Sequence, residues 1–323
     1  MTKRVLLVCP RFFGYETKIA ESLSRLSYEV DFIDERPSNS VIFKIIQRLG
    51  INFLIKKIIY RYFMEEISKL EGACYDVALF INIESVDKKI LKLFNDKLKL
   101  SNRILYMWDS SKNKPNFPKL ICHFDKVATF DPIDSKRFCL EYIPLFYSKR
   151  QNKIVKKSFD ISFIGTAHSD RYKVASEIIK TAHKNGLKTY SYFYYPSRFL
   201  FLLRCIFDSR LNLSAFYSVN YSPMPYDKYC DVIESSKYVL DINHPDQSGL
   251  TMRTLEALGV GAKVLTTNFN IKDSELYKKG YVAIVDRKLP TFNSSIFRKD
   301  VKVDVSEYYI DNWVVKLIAS KKL

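Results

Sequence analysis

Residues 4–34 read RVLLVCPRFFGYETKIAESLSRLSYEVDFID. The apolar run at the start is typical of a strand buried on both faces, and the run EVDFID at the end of the stretch predicts a second strand. Between them, Ile19, Leu23 and Leu26 recur at helical spacing. A strand, a helix and a strand at this distance predict a βαβ unit, which implies a parallel sheet with a right-handed crossover.

The same alternation continues along the chain and starts again after the cationic linker 148–157. Further strands are predicted at 75–82, 103–109, 125–131, 160–166, 187–193, 238–243, 262–268 and 281–286, with a helix over 171–186. We therefore expect two Rossmann-like domains, 1–150 and 151–323, with the last helix able to pack back on the first domain. One larger α/β domain with insertions is the alternative. In the two-domain arrangement, the ligand crevice lies between the halves at the carboxyl ends of the strands.

Composition narrows the class of protein. The chain has 323 residues, 47% of them hydrophobic and 15% aromatic, which is enough for a buried core. No segment reaches the roughly 18 uncharged apolar residues that span a bilayer, and no signal peptide is evident. Six scattered cysteines without a CxxC pair indicate reduced thiols in a cytoplasmic protein rather than zinc ligands or disulfides.

The net charge of +17 favours anionic partners, which include membrane surfaces, nucleic acids and phosphorylated substrates. The chain has no recognisable nucleic-acid-binding motif, so we do not expect a nucleic-acid partner. Two basic, aromatic-rich stretches, 41–63 and 194–211, have the composition of helices that lie in a membrane interface. Packing on the domain with basic side chains reaching into water is the alternative for each stretch.

A second informative stretch is DINHPDQSGLTMRTLEALGVGAKVLTTN, residues 241–268. The chain has only 9 glycines, yet Gly249, Gly259 and Gly261 fall within it. A helix is expected to open near Gly249, where the missing Cβ admits a ligand, and 248–251 then forms a phosphate cradle from free N–H groups. The two later glycines are expected to end the helix and tighten the turn into the next strand.

Two charged side chains follow this cradle. Arg253 lies about one turn later, and Glu256 is expected to share a face with Gly249 and Met252. A carboxylate in that position can accept two hydrogen bonds from ribose hydroxyls. An ordinary core helix with a solvent-facing Glu256 and a glycine cap is the alternative interpretation.

The stretch QSGLTMRTLEALGVGAKVLTTN resembles the donor-binding region of GT-B glycosyltransferases. It is most similar to the bacterial lipopolysaccharide and capsule biosynthesis group, related to spore-maturation-type glycosyltransferases. Weaker matches are RVLLVCPRFFGYE, ILYMWDS and DISFIGTAHSDRY, so that the resemblance covers nearly the whole chain. It implies an α/β GT-B fold: two facing Rossmann-like domains with an interdomain cleft, the first binding the acceptor and the second the nucleotide-sugar.

The resemblance also assigns roles by position. Glu256 matches the glutamate that binds the nucleotide ribose, and 249–251 matches the backbone donors to the diphosphate. Arg171 resembles a cation that stabilises the leaving phosphates, with a surface arginine as the alternative. Many retaining relatives carry a second glutamate at the position of Ser248, so retention and inversion both stay open. The donor-side candidates are Gly165, Arg171, His244, Asp246, Gln247, Ser248, Gly249, Leu250, Thr251, Arg253 and Glu256.

On the acceptor side, Asp109 ends a predicted strand and is the candidate general base if the reaction inverts. A turn or helix-capping aspartate is the alternative. Trp108 can stack on a sugar face or pack in the core. Arg11 and Gly14, in the loop after the first strand, complete the acceptor-side candidates. Asp246 or Gln247 can hold the donor sugar, and His244 can contact the donor or form a turn.

The sequence contains no D-x-D triplet, so we expect neither a metal nor another cofactor. The functional prediction is a metal-independent transfer of sugar from a nucleotide-diphosphate donor to a lipopolysaccharide, capsule or other surface-glycan acceptor, which can be lipid-linked. The expected location is the cytoplasm, with an anionic membrane surface as a candidate partner. A catalytically inactive GT-B-like module that binds nucleotide or glycan is the alternative.

Overall fold

A computed structural model describes residues 2–38, 55–150, 155–167, 170–207, 213–244, 248–292 and 302–319. Of the candidate site residues, Asp246 and Gln247 lie outside these ranges. The chain divides into two compact units, one of Met1–Leu145 with Ile310–Leu323 and the other of Phe146–Tyr309. The chain thus passes from the first unit to the second just before the cationic stretch 148–157. Its last helix belongs to the first unit.

The first unit contains a parallel six-stranded sheet with helices packed against it. Its elements in chain order are β1 (Lys3–Cys9), α1 (Tyr15–Arg25), β2 (Tyr28–Asp34), α2 (Lys56–Ser68), β3 (Cys74–Tyr75), β4 (Val77–Ile81), α3 (Lys88–Lys97), β5 (Lys99–Leu100), β6 (Arg103–Met107), a 3₁₀ helix (Phe117–His123), β7 (Lys126–Thr129), α4 (Pro132–Phe138) and β8 (Glu141–Tyr142). The strand order is β2-β1-β4-β6-β7-β8, and β3 pairs separately with β5.

Burial explains why these strands form. The side chains of Val5 to Cys9 are fully buried, as expected for a central strand of a parallel sheet that is covered on both faces. On one face, Phe80 of β4 packs edge-on against Phe94 of α3 and against Phe124, with ring centroids 5.2 and 5.3 Å apart. Phe63 of α2 joins Phe94 at 5.9 Å. These aromatic contacts build the core of the first unit.

The second unit repeats this architecture. Its elements are β9 (Phe159–Thr166), α5 (Arg171–Lys184), β10 (Thr189–Tyr194), α6 (Arg198–Phe207), a 3₁₀ helix (Leu213–Tyr217), β11 (Val219–Asn220), α7 (Tyr226–Glu234), β12 (Ser236–Asp241), α8 (Met252–Gly259), β13 (Lys263–Thr266), a 3₁₀ helix (Phe269–Asp273), α9 (Glu275–Lys278), β14 (Val282–Ile284) and a 3₁₀ helix (Ser306–Tyr308). All neighbours in the sheet β11-β10-β9-β12-β13-β14 are parallel. This is the doubly wound order of Rossmann folds.

The chain ends in the first unit with α10 (Ile310–Ile318). Ile310, Trp313, Val314 and Leu317 are buried at helical spacing. Asp311 of α10 accepts hydrogen bonds from Ser22 and Arg25 of α1, both at 2.6 Å.

The structure buries the two basic stretches, 41–63 and 194–211, to different extents. In the described part of 41–63, α2 packs Ile59 and Phe63 into the core of the first unit, as the packing alternative expects; residues 41–54 lie outside the described ranges. In 194–211, α6 buries one side of the helix and exposes the other. None of the helices in the described ranges has the length and apolarity required to cross a membrane.

Candidate functional site

The strand order of the second unit creates a crevice at a defined place. From the central strand β9 the chain moves outward to β10 and β11, and then returns to the other side of β9 as β12. The loops that follow β9 and β12 therefore diverge at the carboxyl edge of the sheet. Ligands of doubly wound folds bind at this topological switch point. Most of the donor-side candidates follow one of these two strands, so the topology brings them to one edge of the sheet.

Asp241, the last residue of β12, organises that edge. Its buried carboxylate accepts hydrogen bonds from the hydroxyls of Thr251 and Thr254, at 2.5 and 2.7 Å. It also forms an ion pair with Arg253, with Nη1 and Oδ1 3.0 Å apart. Because all three partners lie at the start of α8, one carboxylate ties that helix end to the sheet.

The start of α8 differs from the sequence-based expectation. The helix begins at Met252 rather than near Gly249, and the Thr251 hydroxyl caps it by accepting from the N–H of Thr254 at 3.1 Å. Gly249 thus precedes the helix and does not share a helical face with Met252 and Glu256. A threonine cap bonded to Asp241 fixes the start three residues later than the glycine suggested.

The loop before α8 is buried and held by one side chain. Asn268, which follows β13, donates through Nδ2 to the carbonyls of Ser248 and Gly249 at 3.1 and 3.2 Å. Within the described part of the chain, the N–H groups of Gly249, Leu250 and Thr251 donate to no protein acceptor. Unpaired N–H groups before a helix are suited to an anion.

Three arginines gather around this crevice. The Arg171 guanidinium donates to the Thr166 hydroxyl at the end of β9, at 3.1 Å. Arg287 forms a two-pronged ion pair with Asp170, at 2.6 and 2.8 Å, and donates to the carbonyl of Asn243 at 2.9 Å. Arg253 is the third.

The electrostatics of Arg171 show that these cations lie close together. Burial lowers the pKa of Arg171, and the positive charges of Arg253 and Arg287 lower it further, against the opposing effects of Asp241 and Asp170. Among the residues that the structure describes here, three guanidiniums thus lie near two carboxylates. An anion bound among them relieves this repulsion.

The missing side chain of Gly165 leaves space for Arg253. A Cβ built at this position would lie 3.0 Å from the ring of Phe163 and 3.1 Å from Nη2 of Arg253. A larger residue would therefore displace the guanidinium or the ring. Gly165 supports the site by letting Arg253 lie across the end of β9.

Glu256 is buried on α8 and has a specific partner. The Tyr229 hydroxyl of α7 donates to its Oε2 at 2.9 Å. Burial raises the pKa of Tyr229 well above its usual range, and the Glu256 charge raises it further. The tyrosine therefore stays protonated and orients the carboxylate. The solvent-facing alternative for Glu256 is wrong.

The remaining donor-side candidate in the described ranges is His244, which is exposed in the loop after β12. It lies at the same sheet edge, next to Asn243, whose side chain accepts from the Thr267 hydroxyl at 2.7 Å.

In the first unit, Asp109 lies just beyond β6 and is half-buried. Its Oδ2 accepts a hydrogen bond of 3.0 Å from Nδ2 of Asn82, which follows β4. Asn82 has a positive φ of 51° and is buried, and within the described ranges its Oδ1 has no hydrogen-bond partner. A strained backbone and an unbonded amide oxygen beside a carboxylate are typical of functional sites.

The other acceptor-side candidates lie around the loop after β1. Arg11 is exposed and forms an ion pair with Asp34 at 3.5 Å. Gly14 caps α1 with a left-handed φ of 73°, and a Cβ there would meet nothing within 4 Å. A glycine is therefore required at this position for its backbone conformation, and not to let another group approach closely. Trp108 is half-buried, and its ring lies 6.4 Å from that of the exposed Phe12.

Sequence reasoning missed a charged cluster beside Asn82. Glu35, just after β2, is fully buried and accepts short hydrogen bonds from the N–H groups of Glu84 and Ser85. Burial raises the pKa of Glu35 to about 7, although those bonds and the charges of Lys114 and Arg36 act in the opposite direction. Lys114 forms a close ion pair with Glu84. The carboxyl edge of the first sheet therefore carries a second polar site.

The missed residues share one signal. Asp241, Asn268, Arg287, Asn82 and Glu35 all stand at or just beyond the carboxyl end of a parallel strand. Polar residues at that position are candidates in any doubly wound fold. Tyr229 carries no such signal, because it lies within α7. Within the described ranges, no group of three or more His, Cys, Asp or Glu side chains is arranged to hold a metal ion.

Comparisons with known proteins identify the fold. No family model matches the chain, and no curated protein matches it in sequence. Among solved structures, UDP-GlcNAc 2-epimerase from Neisseria meningitidis bound to UDP-GlcNAc matches with a TM-score of 0.55 at 10% identity, covering 98% of each chain. Another UDP-N-acetylglucosamine 2-epimerase matches with a TM-score of 0.52 at 10% identity, covering 98% of this chain and 95% of the other.

Sucrose-phosphate synthase from Thermosynechococcus elongatus matches with a TM-score of 0.50 at 9% identity, covering 89% of this chain and 87% of the other. At such low identity these likenesses show the fold alone. The predicted α/β GT-B fold class, with two parallel Rossmann-like sheets, is confirmed.

Proposed function

We propose that this protein is a glycosyltransferase that moves a sugar from a nucleotide-diphosphate donor to a lipopolysaccharide, capsule or other surface-glycan acceptor. The observation that carries the proposal is the switch point of the second unit. Three arginines lie there with N–H groups that have no acceptor among the described residues, on the same edge as a buried glutamate oriented by Tyr229. A protein of the same fold binds UDP-GlcNAc at 10% identity, which supports a nucleotide-sugar as the ligand class.

In this proposal, the donor diphosphate lies against 249–251 and the guanidiniums of Arg171, Arg253 and Arg287. Glu256, held by Tyr229, accepts hydrogen bonds from the ribose hydroxyls. His244, Asp246 and Gln247 are proposed to contact the donor sugar. Ser248 stands where many retaining relatives carry a glutamate, and Asp246 or Gln247 would hold the donor sugar in place of that glutamate.

Charge development explains how the arginines would promote the reaction. When the bond between the anomeric carbon and the diphosphate oxygen breaks, negative charge accumulates on the leaving diphosphate. Guanidiniums and backbone N–H groups fixed before the reaction stabilise that charge. We propose that they perform the task that a divalent metal performs in other transferases, so that no metal cofactor is required.

On the acceptor side, we propose Asp109 as the general base of an inverting reaction. Its carboxylate would take the proton of the acceptor hydroxyl while the hydroxyl oxygen attacks the anomeric carbon. The bond from Asn82 would hold Asp109 in position. Trp108, Arg11 and the loop around Gly14 would contact the acceptor glycan. An acceptor carried on a lipid would locate the enzyme at the cytoplasmic face of a membrane.

Titration of the purified chain with a panel of nucleoside diphosphates and their sugars tests the donor site. We expect selective binding by the wild type, and Glu256→Gln should raise Kd about 10- to 100-fold, because it removes charged hydrogen bonds to the ribose. Glu275→Gln, at an exposed position of the same unit, is the matched control. Equal affinity of Glu256→Gln and the wild type would contradict the assignment.

Turnover separates an enzyme from a binding module. Asp109→Asn should leave the donor Kd unchanged and lower transfer by about 10²- to 10⁴-fold. Transfer by the wild type should persist with a metal chelator present. Saturable donor binding with no transfer or hydrolysis in any condition would instead indicate the inactive module.

A further inference from the structure

The α6 helix presents an unusual surface. Its side chain Phe201 is fully buried, and the Phe201 ring packs against those of Tyr195, Phe216 and Tyr221, with centroids 5.2, 6.0 and 6.3 Å apart. This aromatic contact anchors the helix to the second unit. Five other large apolar side chains of α6 whose burial the structure describes are exposed: Phe199 68%, Leu200 51%, Leu202 41%, Leu203 37% and Ile206 74%.

The exposed residues form a stripe rather than a scatter. At about 100° per residue, Phe199, Leu202, Leu203 and Ile206 lie along one side of the helix, opposite Phe201. Single exposed apolar residues are ordinary, but a contiguous apolar stripe indicates an interaction site. We call this the α6 stripe.

Charge indicates what covers the α6 stripe. By the same spacing, Arg198 and Arg204 flank it on its two sides, and 194–206 contains no acidic residue. A second copy of this chain is a poor fit, since it would bring together two arginine-flanked faces on proteins of net charge +17. An anionic surface with an apolar interior fits both features.

We propose that the α6 stripe docks on the surface of an anionic lipid bilayer. Phe199, Leu203 and Ile206 enter the boundary between headgroups and acyl chains, while Arg198 and Arg204 contact lipid phosphates. Apolar burial supplies one part of the affinity, and attraction to acidic lipids supplies the other. This docking requires no donor or acceptor chemistry. The second unit would then contact the membrane through the α6 helix.

Co-sedimentation of the full chain with lipid vesicles tests the proposal. We expect binding to vesicles that contain phosphatidylglycerol, weak binding to pure phosphatidylcholine, and a loss of binding at high salt. Phe199→Glu combined with Ile206→Glu should reduce the partition coefficient at least tenfold. Leu289→Glu, which changes another exposed apolar side chain of the same unit, should bind as the wild type does.

The two contributions can be separated. Arg198→Gln combined with Arg204→Gln should weaken binding to acidic vesicles roughly 25-fold, about fivefold for each charge, and should leave binding to neutral vesicles unchanged. Equal binding of the Phe199/Ile206 variant and the Leu289 variant would overturn the proposal. So would self-association through the stripe without vesicle binding. Vesicle binding by a chain that fails the donor titration would leave this proposal standing and contradict only the transferase.

Discussion

At the scale of single residues, Glu35 is the most exceptional side chain of the first unit. Its carboxylate is fully buried, and burial raises its pKa to about 7. Oε1 accepts from two backbone N–H groups, while Oε2 is buried 3.9 Å from Nε of Arg36 and has no hydrogen-bond partner among the described residues. Because the fold holds the charged form in an unfavourable environment, Glu35 lowers stability wherever the unfolded chain would carry it ionised.

The sign of this effect defines a pH experiment on Glu35. The folded pKa of about 7 exceeds the ordinary value of 4.5, so the folded state binds the extra proton, and stability falls as pH rises from about 4.5 to about 7. Glu35→Gln keeps an oxygen for both N–H groups and removes the titration. Relative to the wild type, it should gain up to about 3 kcal/mol in free energy of unfolding between pH 5 and pH 8. Urea denaturation at both pH values measures this.

The matched control is Glu21→Gln, at an exposed position on α1. It should show the same difference between pH 5 and pH 8 as the wild type. A constant offset between Glu35→Gln and the wild type at both pH values would contradict the raised pKa and indicate a purely structural role.

The site residues differ in how far sequence could predict them. The positions of Arg171, Arg253 and Glu256 on the helices that follow β9 and β12 could be predicted because the alternation of strand and helix is a local pattern; their roles in donor binding stay predictions. Tyr229 and Asn82 were not, since each acts on a partner 27 positions away in sequence. Only the folded chain shows which strand ends and helices come together.

At the scale of elements, the start of α8 also depends on a contact that local sequence does not show. Its amphipathic spacing predicts a helix in the right place, but the start depends on the bond between Thr251 and Asp241, ten positions earlier. The two glycines near its end are required for different causes, which the sequence presents as one glycine signal. Gly261 adopts a positive φ of 73°, whereas Gly259 lies against the ring of Tyr147.

A double-mutant cycle tests the second cause. A Cβ at Gly259 would lie 2.2 to 2.7 Å from three ring atoms of Tyr147, so Gly259→Ala should lower the free energy of unfolding by about 2 kcal/mol. In a Tyr147→Ala background, the same change should be neutral or stabilise by about 0.5 kcal/mol, because alanine favours a helix more than glycine does. Denaturant unfolding of all four proteins measures the cycle. Additive effects would contradict the assignment of Gly259 to contact with the Tyr147 ring.

At the scale of the whole molecule, the sheets of both units follow the same topology. In each sheet the chain moves outward from a central strand, returns to its other side, and leaves its polar side chains at the carboxyl edge of the switch point. The alternating pattern of buried strands predicted this architecture, since periodicity reports burial on each strand. The order of strands within each sheet was not predictable in the same way, because pairing joins segments far apart in sequence.

The return of α10 to the first unit is a second property of the whole chain. Trp313 is buried there with its ring 5.0 Å from that of Tyr106, a residue of β6. Lys126 of β7 donates to the last carbonyls of the helix, those of Lys316 and Ala319, both at 3.0 Å. The first unit therefore completes its core only after the second unit has been synthesised.

Trp313→Ala tests whether α10 belongs to the cooperative core of the first unit. Removal of a buried tryptophan leaves a cavity and should lower the free energy of unfolding by about 3–5 kcal/mol. Val315→Ala, on the exposed side of the same helix, should change it by less than about 0.5 kcal/mol. The chain has 2 tryptophans, both in the first unit, so tryptophan emission reports the unfolding of that unit in either variant. If the first unit unfolds at the same urea concentration in both variants, α10 is not part of its cooperative core.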